Sequence, residues 1–403
     1  MRGMGSVKSV LLITGQFPPA AGGGGQVVYN LSKGLASIGK EVRVFVSGKP
    51  ESPAKSGSSA ETKIDSDLKR KGVSVFRAKG SLDVNALNLE SVTSQLLYKI
   101  TGENVDVIHA HHTGSIYLGS IIKAAYPETA LVASLHKTPI HNFDKSLIRG
   151  DPHYAIYNHL MKLNVDLWIA YSKLFRKEWI NGLGLNRQKV EVIYPGIDLQ
   201  SSRSDSSPKS TIFCPGRLDR RKAYEKLIEE VAEYNAAMQE HKLKIVYTGT
   251  AEKEKNGEKE YKKQLVRLAQ EKKVEINFKP YGFDGIKKAY KDKLTCVVPS
   301  ENEGLGLVIL ESMSCGTPVI ISSSIGNEVV KSEENGLFFN PEVRGNLARA
   351  LMRLHSDNLR ERLVKNGIIT VKRDFDPILS AKRHLKAYER AYSFINKQET
   401  RAH

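Results

Sequence analysis

The chain has 403 residues, 40% of them hydrophobic, and a formal charge of +17 at pH 7. That length exceeds what one core of ordinary size holds, so it predicts two domains. The apolar run near the start is too short for a signal peptide, and none is long enough to span a bilayer, so we do not expect an integral membrane protein. The three cysteines lie in apolar segments without metal-ligand spacing, so we expect reduced core thiols in a cytoplasmic protein.

The positive charge is the largest anomaly of the composition. It suits nucleic acid, an anionic membrane or phosphorylated substrates. Lys and Arg are spread along amphipathic segments such as KKQLVRLAQEKK instead of forming one basic arm, which favours solvated helix faces. A nucleic-acid-binding protein stays an alternative, but it would need a contiguous basic face and strongly salt-dependent binding.

Strand and helix patterns alternate from the start of the chain. Val7–Thr14 reads as a buried strand, Val27–Ile38 has helical spacing, and Glu41–Ser47 reads as the next strand. Prolines and four glycines form the loop between the first two elements. An NAD site would also place glycines there, but it needs an acidic residue at the end of the second strand, where Ser47 and Gly48 stand.

The next segment interrupts this alternation. Lys49–Arg70 is polar, Ser-rich and without periodicity, so we predict a surface loop. The alternation resumes at Val73.

Histidines mark the following strands, Val105–His111 and Ala130–Leu135. The run His109, His111 and His112 suggests zinc, yet His109 and His111 alternate along one strand and no cysteine stands nearby in sequence. We therefore expect no metal site here.

Seven of the eleven histidines lie between His109 and His159, accompanied by Tyr154 and Tyr157. Aromatic side chains suit stacking on sugar rings. A partly buried polar loop explains the same composition equally well, so both interpretations stay open.

The alternation continues with Val165–Ala170, a helix start at Ser172 and a strand in KVEVIYPGID. Gln200–Ser210 is then a linker by composition.

The second domain opens with a strand, Thr211–Cys214, and a basic loop ahead of a helix. Arg217 and Lys222 bracket this loop. A guanidinium offers a fork to phosphate oxygens and an ammonium offers a point charge. Arg220 and Arg221 would extend the positive patch.

Further elements are predicted downstream. In order, they are the strand Lys244–Gly249, a solvated helix over Glu252–Lys273, one helix over Leu347–Lys365, and a last helix over Ile378–Ile395.

The most informative stretch lies between these helices. We predict a strand over Cys296–Val298, a polar loop over Pro299–Gly306 and a helix over Leu307–Ser314. Gly304 and Gly306 keep the loop out of helical geometry and let its backbone approach a ligand. The helix N-terminus behind them favours phosphate.

Two carboxylates, Glu303 and Glu311, flank that helix end, eight positions apart. Carboxylates accept hydrogen bonds from sugar hydroxyls and repel phosphate. An anion at the helix end with a sugar on either side describes a nucleotide-sugar.

The segment PSENEGLGLVILESMSCGTPV (299–319) resembles the Glu-x7-Glu signature of the retaining family 4 glycosyltransferases. The resemblance extends to GRLDRRKA (216–223), DVIHAH, SLHKTP and the glycine loop after the first strand. In GRLDRRKA the usual final glycine is Ala223, and VEINFKPYGF departs from the family at Pro280 and Tyr281, so we carry no base specificity over.

This resemblance implies an α/β fold of the GT-B class, with two Rossmann-like domains and parallel sheets facing across a cleft. The acceptor-binding domain would span 1–198 and the nucleotide-sugar domain 199–377, with a C-terminal helix over about 378–400 packing back on the first. The implied activity is retaining hexosyl transfer from a nucleotide-diphosphate sugar, UDP-sugar ahead of GDP-sugar, to an acceptor hydroxyl, without cofactor or metal.

The resemblance also implies the site residues. The catalytic group would be Glu303, His136, Arg217 and Lys222. Donor-binding residues would be Gly22, Gly23, Arg217, Lys222, Glu303, Gly304, Leu305, Gly306, Leu307, Val308 and Glu311. Acceptor-binding residues would be His111, His136, Tyr154 and Tyr157.

Two rival functions and the acceptor stay open. A sugar-nucleotide hydrolase or epimerase on the same fold, or a member that binds without catalysis, would carry the same motifs. The sequence identifies neither sugar, base nor acceptor. Basic residues near the expected acceptor site predict an anionic partner, either a phosphorylated acceptor or a membrane contacted peripherally; they are Lys137, Lys145, Arg149 and Lys162.

Overall fold

The computed structural model describes residues 6–19, 22–47, 59–78, 89–136, 159, 163–199, 210–249, 257–283, 285–291, 293–301, 303–325 and 328–402. The chain forms two compact units. The first unit comprises Met1–Gly196 with Phe375–His403, and the second comprises Ile197–Asp374. The sequence placed the boundary at 198/199 and the return to the first unit at 377/378.

The first unit is built on a parallel sheet of seven strands from the described residues. They are β1 (Ser9–Thr14), β2 (Glu41–Val46), β3 (Val73–Arg77), β4 (Val107–His111), β5 (Ala130–Ser134), β6 (Leu167–Ala170) and β7 (Val190–Val192). Their order across the sheet is β3-β2-β1-β4-β5-β6-β7. The middle strands are buried throughout their length, as expected for a sheet covered by helices on both faces.

Among the described residues, five helices follow strands of this sheet. They are α1 (Gly23–Ser37), α2 (Ser59–Arg70), α3 (Leu89–Ile100), α4 (Thr113–Ala125) and α5 (Lys173–Leu183).

The second unit repeats the pattern with six parallel strands in its described residues. They are β8 (Thr211–Cys214), β9 (Lys244–Tyr247), β10 (Ile276–Phe278), β11 (Thr295–Val298), β12 (Val319–Ser322) and β13 (Leu337–Phe339), in the order β10-β9-β8-β11-β12-β13. Its helices are α6 (Tyr224–Ala237), α7 (Glu258–Lys272), α8 (Gly285–Lys291), α9 (Leu307–Ser314), α10 (Asn346–Arg353) and α11 (Asp357–Asp374). The predicted Rossmann-like α/β architecture with two parallel sheets is confirmed.

Each sheet reverses its strand order at one place. In the first unit the reversal lies between β1 and β4, and in the second between β8 and β11. Ligands of open α/β sheets bind in the crevice outside the carboxyl ends of the strands at such a reversal. The loops that leave these four strands are therefore where a site is expected.

The last helix, α12 (Pro377–Ala402), belongs to the first unit and packs on α1. Gly34 makes this contact close, since a Cβ there would lie 2.7 Å from the Pro377 carbonyl oxygen and 2.9 Å from the Ala381 Cβ. Asn30 of α1 also donates a hydrogen bond to the Gly196 carbonyl at 2.7 Å.

The predicted loop over Lys49–Arg70 is wrong in its second half, where α2 runs from Ser59 to Arg70. Ile64 and Leu68 lie one helical turn apart and are buried, and they anchor the helix. With three apolar positions in twelve, one of them an alanine, the segment shows too little periodicity to be recognised as a helix from its sequence. The helices α3 and α8 were not predicted either.

The single helix predicted over Leu347–Lys365 is also wrong, because α10 ends at Arg353 and α11 begins at Asp357. Between them, His355 bonds the Tyr234 hydroxyl and stacks on its ring. This contact stabilises a turn at His355, although the local sequence there is compatible with a continuous helix.

Among the helices that the structure describes, none is both long enough and apolar enough to cross a bilayer.

The start of α10 yields a test of stability. Its N-cap residue, Gly345, has no capping side chain, but the Glu230 carboxylate of α6 accepts hydrogen bonds from the amides of Gly345, Leu347 and Ala348 at 2.6, 2.8 and 3.0 Å. We expect Glu230→Ala to lower the free energy of unfolding by about 1–2 kcal/mol, the cost of losing a helix cap. Urea denaturation measures it. The neighbouring, exposed Glu229→Ala is the control, and equal loss in both variants would contradict the capping role.

Candidate active site

The loops that leave β8 and β11 are joined at the strand reversal of the second unit. The Glu301 amide of the β11 loop donates to the Arg221 carbonyl of the β8 loop at 3.0 Å. The β8 loop also contacts the end of β9, where the Thr248 hydroxyl accepts from the Gly216 amide at 2.8 Å. A Cβ at Gly249 would lie 2.9 Å from the Gly216 carbonyl oxygen, so glycine permits this close approach. The basic loop and the glutamate loop thus form one surface.

Lys222 and Glu303 meet on that surface. The Lys222 ammonium forms an ion pair with the Glu303 Oε1 atom, which also accepts a hydrogen bond from the Ser300 hydroxyl at 3.1 Å. The two side chains are 23% and 18% exposed, so water screens the pair weakly. Two residues predicted from separate motifs are therefore in direct contact.

Lys222 ends a short 3-10 helix, Arg220–Lys222, ahead of α6. The next residue, Ala223, has φ 48° and ψ 47°, in the left-handed region that favours glycine. This conformation explains why the family motif has glycine at that position, a requirement that alanine meets here at some cost in strain.

Arg217 is exposed at the start of the same loop. Its carbonyl accepts a hydrogen bond from the buried Tyr224 hydroxyl at 3.2 Å, whereas no ion pair or hydrogen bond joins its guanidinium to the described residues. Arg220 and Arg221, which were expected to extend the positive patch, have partners of their own. Arg220 donates a hydrogen bond to the Gln264 side chain, and Arg221 forms an ion pair with Asp219 at 2.6 Å.

The helix predicted over Leu307–Ser314 is confirmed as α9. Gly306 is its N-cap residue, with φ 73° and no side-chain cap, and the preceding Leu305 is buried. The amides of Leu307 and Val308 open the helix, and the first amides of a helix have no partner within it. The residues Gly304, Leu307 and Val308 are half-buried. The helix N-terminus therefore lies close to the surface of the loop, and a helix N-terminus favours an anion.

Glu311 lies one turn further along α9. Its Oε2 atom accepts a hydrogen bond from the Tyr290 hydroxyl at 2.9 Å. Burial raises the pKa of Glu311, while the Tyr290 bond and the positive charge of Lys287 act in the opposite direction. The carboxylate thus faces opposing influences on its charge.

In the first unit, the glycine loop after β1 packs against a histidine. Gly22 has φ 152° and precedes α1, which begins at Gly23. A Cβ at Gly24 would lie 2.5 Å from the His112 Nε2 atom, and one at Gly22 would lie 2.8 Å from the Gln16 Oε1 atom. Glycine at position 24 therefore lets the start of α1 approach His112, which follows β4.

Hydrogen bonds define the protonation of His109 on β4. The Ser134 hydroxyl has one hydrogen, which it donates to the Ile169 carbonyl at 2.8 Å. It therefore accepts from the His109 Nε2–H group at 2.9 Å. The His109 Nδ1 atom then accepts from the Tyr388 hydroxyl at 2.7 Å.

His111 connects this buried network to His136. The His111 Nδ1 and His136 Nε2 atoms are 3.0 Å apart, and His112 stacks on His136 with ring centroids 4.5 Å apart. Burial, followed by the charges of neighbouring histidines, lowers the pKa of His109, His111 and His136 well below the usual value. All three are neutral at pH 7 and offer hydrogen bonds without charge.

Two members of this cluster escaped the sequence analysis. His384 and Tyr388 of α12 are both buried, with His384 6.2 Å from Tyr171 between ring centroids. They stand one helical turn apart, and this spacing predicts that they share one face of the helix. It does not predict which residues of other elements pack against that face. No cluster of three or more His, Cys, Asp or Glu side chains suited to a metal occurs within the described ranges.

Several predicted residues lie outside the described residues. They are Tyr154, Tyr157, Lys137, Lys145, Arg149 and Lys162. The described His159 is exposed and stacks on Tyr117 at 5.4 Å. The three cysteines, as expected, are free and buried.

Comparison with known proteins decides the family. The profile described as glycosyl transferases group 1 matches residues 198–369, and the profile described as glycosyltransferase family 4 matches residues 21–201. The chain is a group 1 glycosyltransferase. An uncharacterized glycosyltransferase of Methanocaldococcus jannaschii is 26% identical, over 96% of this chain and 100% of the relative.

Other similar proteins have more specific names. A D-inositol 3-phosphate glycosyltransferase of Nocardioides sp. is 27% identical over 72% of this glycosyltransferase and 68% of the relative. Among solved structures, Anabaena HepE in complex with UDP and glucose has a TM-score of 0.71 at 19% identity, covering 94% of this chain and 99% of that one. Sucrose-phosphate synthase of Thermosynechococcus elongatus has a TM-score of 0.74 at 21% identity, covering 96% and 99%. These likenesses show the GT-B type of fold.

The loop after β8 gives a test of phosphate binding. We expect Arg217→Ala and Lys222→Ala each to lower kcat/KM about ten- to a hundredfold. Each variant would lose a charge-assisted hydrogen bond to the diphosphate of the donor, worth about 1.5–3 kcal/mol. Steady-state kinetics with a nucleotide-sugar measures the change. Lys226→Ala is the matched control, since its ammonium pairs with Glu342 at 3.0 Å instead. Normal turnover in both loop variants would reject the phosphate site.

The histidine cluster gives a test of pH dependence. Burial lowers the pKa of His384 to about 4, from an ordinary value of 6.5. Between these values the unfolded chain binds a proton that the folded chain does not, so stability is complete above about pH 6.5 and falls as the pH drops towards 4. In His384→Asn, which keeps a donor for the Ser380 carbonyl, we expect this fall to be smaller by up to about 3 kcal/mol.

Chemical denaturation between pH 7 and pH 4 measures that difference. The control is His241→Asn, which removes an exposed histidine of the second unit. An unchanged pH dependence in the His384 variant would contradict the argument.

Proposed function

We propose that this glycosyltransferase moves a hexosyl group from a nucleotide-diphosphate sugar, preferably a UDP-sugar, to an acceptor hydroxyl with retention, forming an α-glycosidic bond. The observation that carries the proposal is the meeting of Lys222, Glu303 and the N-terminus of α9 at the strand reversal of the second unit. The UDP and glucose bound to the structurally similar HepE support it.

The positive groups of this surface suit a diphosphate leaving group. The exposed guanidinium of Arg217 offers a fork, and the α9 amides offer donors fixed in place before the reaction. The Lys222 ammonium has three donor hydrogens, so it can hold Glu303 and a phosphate oxygen together. Such groups stabilise the charge that develops on the leaving diphosphate, and the proposal therefore assigns the step no metal.

Retention follows if the acceptor attacks from the side on which the diphosphate leaves. The bond from the anomeric carbon to the phosphate oxygen breaks, the bond to the acceptor oxygen forms, and the acceptor proton passes to a phosphate oxygen. The engagement of Glu303 by Lys222 and Ser300 supports a positioning role on the sugar hydroxyls. The neutral ring of His136 suits hydrogen bonding to the sugar or acceptor.

The charge distribution favours an acceptor that carries phosphate. The first unit contains 30 Lys and Arg against 18 Asp and Glu, whereas the second contains 31 against 26. Most of the net charge thus belongs to the unit to which we assign the acceptor. A relative named for D-inositol 3-phosphate and a structural neighbour named sucrose-phosphate synthase support the same choice.

A matrix of donors and acceptors tests the proposal. The enzyme is incubated with UDP-, GDP- and ADP-sugars, each alone and with a sugar or inositol in free and phosphorylated form, and the products are identified by mass spectrometry. We expect a glycosylated phosphorylated acceptor with an α-linkage by NMR. Free sugar from donor alone would indicate a hydrolase, a changed donor an epimerase, and a β-linkage would exclude retention.

An arm with liposomes separates the two anionic partners. Co-sedimentation is measured with neutral and anionic lipid at low and physiological salt, since exposed charges act within a Debye length of about 8 Å at physiological salt. Binding to anionic lipid at physiological salt, without transfer to a soluble acceptor, would replace the phosphorylated acceptor by a lipid one.

A further inference from the structure

We infer that Tyr290 is a positioning residue that holds Glu311 for the ribose hydroxyls of the donor, an inference that rests on the proposed nucleotide-sugar donor. The Tyr290 hydroxyl lies 2.9 Å from the Glu311 Oε2 atom. Tyr290 belongs to α8, a helix that the sequence analysis missed and that none of the predicted site residues occupies.

The direction of this hydrogen bond is fixed by chemistry. The phenol carries the hydrogen, because burial raises the pKa of Tyr290 well above its usual value and the nearby charge of Glu311 raises it further. Tyr290 therefore donates and the carboxylate accepts. The bond engages Oε2, while Oε1 accepts no hydrogen bond from a described residue.

Contacts on several sides keep the Tyr290 ring in place. The side chain is fully buried, and the Phe213 ring meets it edge-on with centroids 4.8 Å apart. The Thr317 hydroxyl donates to the Tyr290 carbonyl at 2.7 Å, and the Cys315 thiol donates to the Lys287 carbonyl at 3.5 Å. These contacts fix α8 to the end of α9, so the Tyr290 hydroxyl sets the orientation of Glu311.

Tyr290 also influences the charge of Glu311. The titratable groups that face this carboxylate are Tyr290 and Lys287 from α8, Cys296 from β11 and Cys315 after α9. Burial raises the pKa of both thiols and of the phenol, so these groups stay protonated at neutral and acidic pH. On acidification Glu311 is the group of this set that changes charge, and the Tyr290 bond favours its ionised form.

An ionised, oriented carboxylate can accept two hydroxyls of one ribose, which a 2′-deoxyribose cannot supply. Tyr290→Phe removes the hydroxyl, and with it the hydrogen bond to Glu311, but keeps the ring and therefore its packing. The expected defect is therefore confined to ribose recognition, whereas a purely structural role would weaken every ligand equally.

Calorimetry on the full-length protein tests this inference. We titrate UDP, GDP and ADP, choose the nucleoside diphosphate that binds best, and repeat the titration with its 2′-deoxy form between pH 5 and pH 8. We expect Tyr290→Phe to weaken the ribonucleotide about tenfold at pH 7, the loss of one charge-assisted hydrogen bond. The deoxynucleotide should lose less, and the decline of affinity on acidification should begin at a higher pH.

Two further variants make the outcome decisive. Tyr234→Phe is the matched control, because Tyr234 is equally buried and bonds His355 away from the site; it should bind like the wild type. Glu311→Gln should weaken the ribonucleotide. Equal losses for ribo- and deoxynucleotide in Tyr290→Phe, or no loss, would overturn the role of Tyr290 alone. No effect of Glu311→Gln would overturn the placement of the ribose at Glu311. No binding of any of the three nucleotides would overturn the proposed nucleotide-sugar donor.

Discussion

The ion pair between Lys222 and Glu303 is the contact on which the candidate site depends. The two residues are 81 positions apart in sequence, and they join the loops of β8 and β11, which lie side by side in the sheet. Breaking a poorly exposed pair by removing one partner leaves an uncompensated charge, which is far costlier than losing a surface pair. The pair therefore fixes the relative position of the basic loop and the helix end behind Gly306, and it gives Glu303 a single orientation.

The two units carry different charges near the strand reversals of their sheets: positive groups in the second unit and neutral histidines in the first. The second unit gathers Lys222, Arg217 and a helix N-terminus, which suit a ligand with full negative charge. The first unit gathers histidines whose pKa burial lowers, so that they are neutral, around the end of β4. Neutral rings can exchange hydrogen bonds with the hydroxyls of a ligand. This division matches a donor with a diphosphate and a reaction between hydroxyl-bearing groups.

The sequence predicted the contiguous parts of this arrangement and missed the rest for physical reasons. The stretch from Gly304 to Ser314 could be read because glycine, helix start and carboxylate all act within a few residues. The helix α2 was missed because most of its residues are polar; among its described side chains, Ile64 and Leu68 are the buried apolar ones. The break between α10 and α11 depends on a contact of Tyr234, which is distant in sequence. The place of Tyr388 in the histidine cluster could not be foreseen for the same reason, since α12 reaches His109 from the far end of the chain.

The strained residue Ala223 shows how strictly the conformation of the loop between β8 and α6 is determined. An alanine at φ 48° costs about 1 kcal/mol relative to glycine, and such strain persists only where the surroundings enforce it. Here the Ala223 amide donates to the Arg220 carbonyl at 2.9 Å, and the next amide, that of Tyr224, donates to the Tyr261 hydroxyl at 3.1 Å. These bonds fix the turn between the 3-10 helix and α6, and the turn directs Lys222 towards its carboxylate partner. The chain keeps this turn although it has alanine where glycine would adopt the conformation without strain. We conclude that the surrounding hydrogen bonds hold the loop in the conformation that positions the Lys222 ammonium.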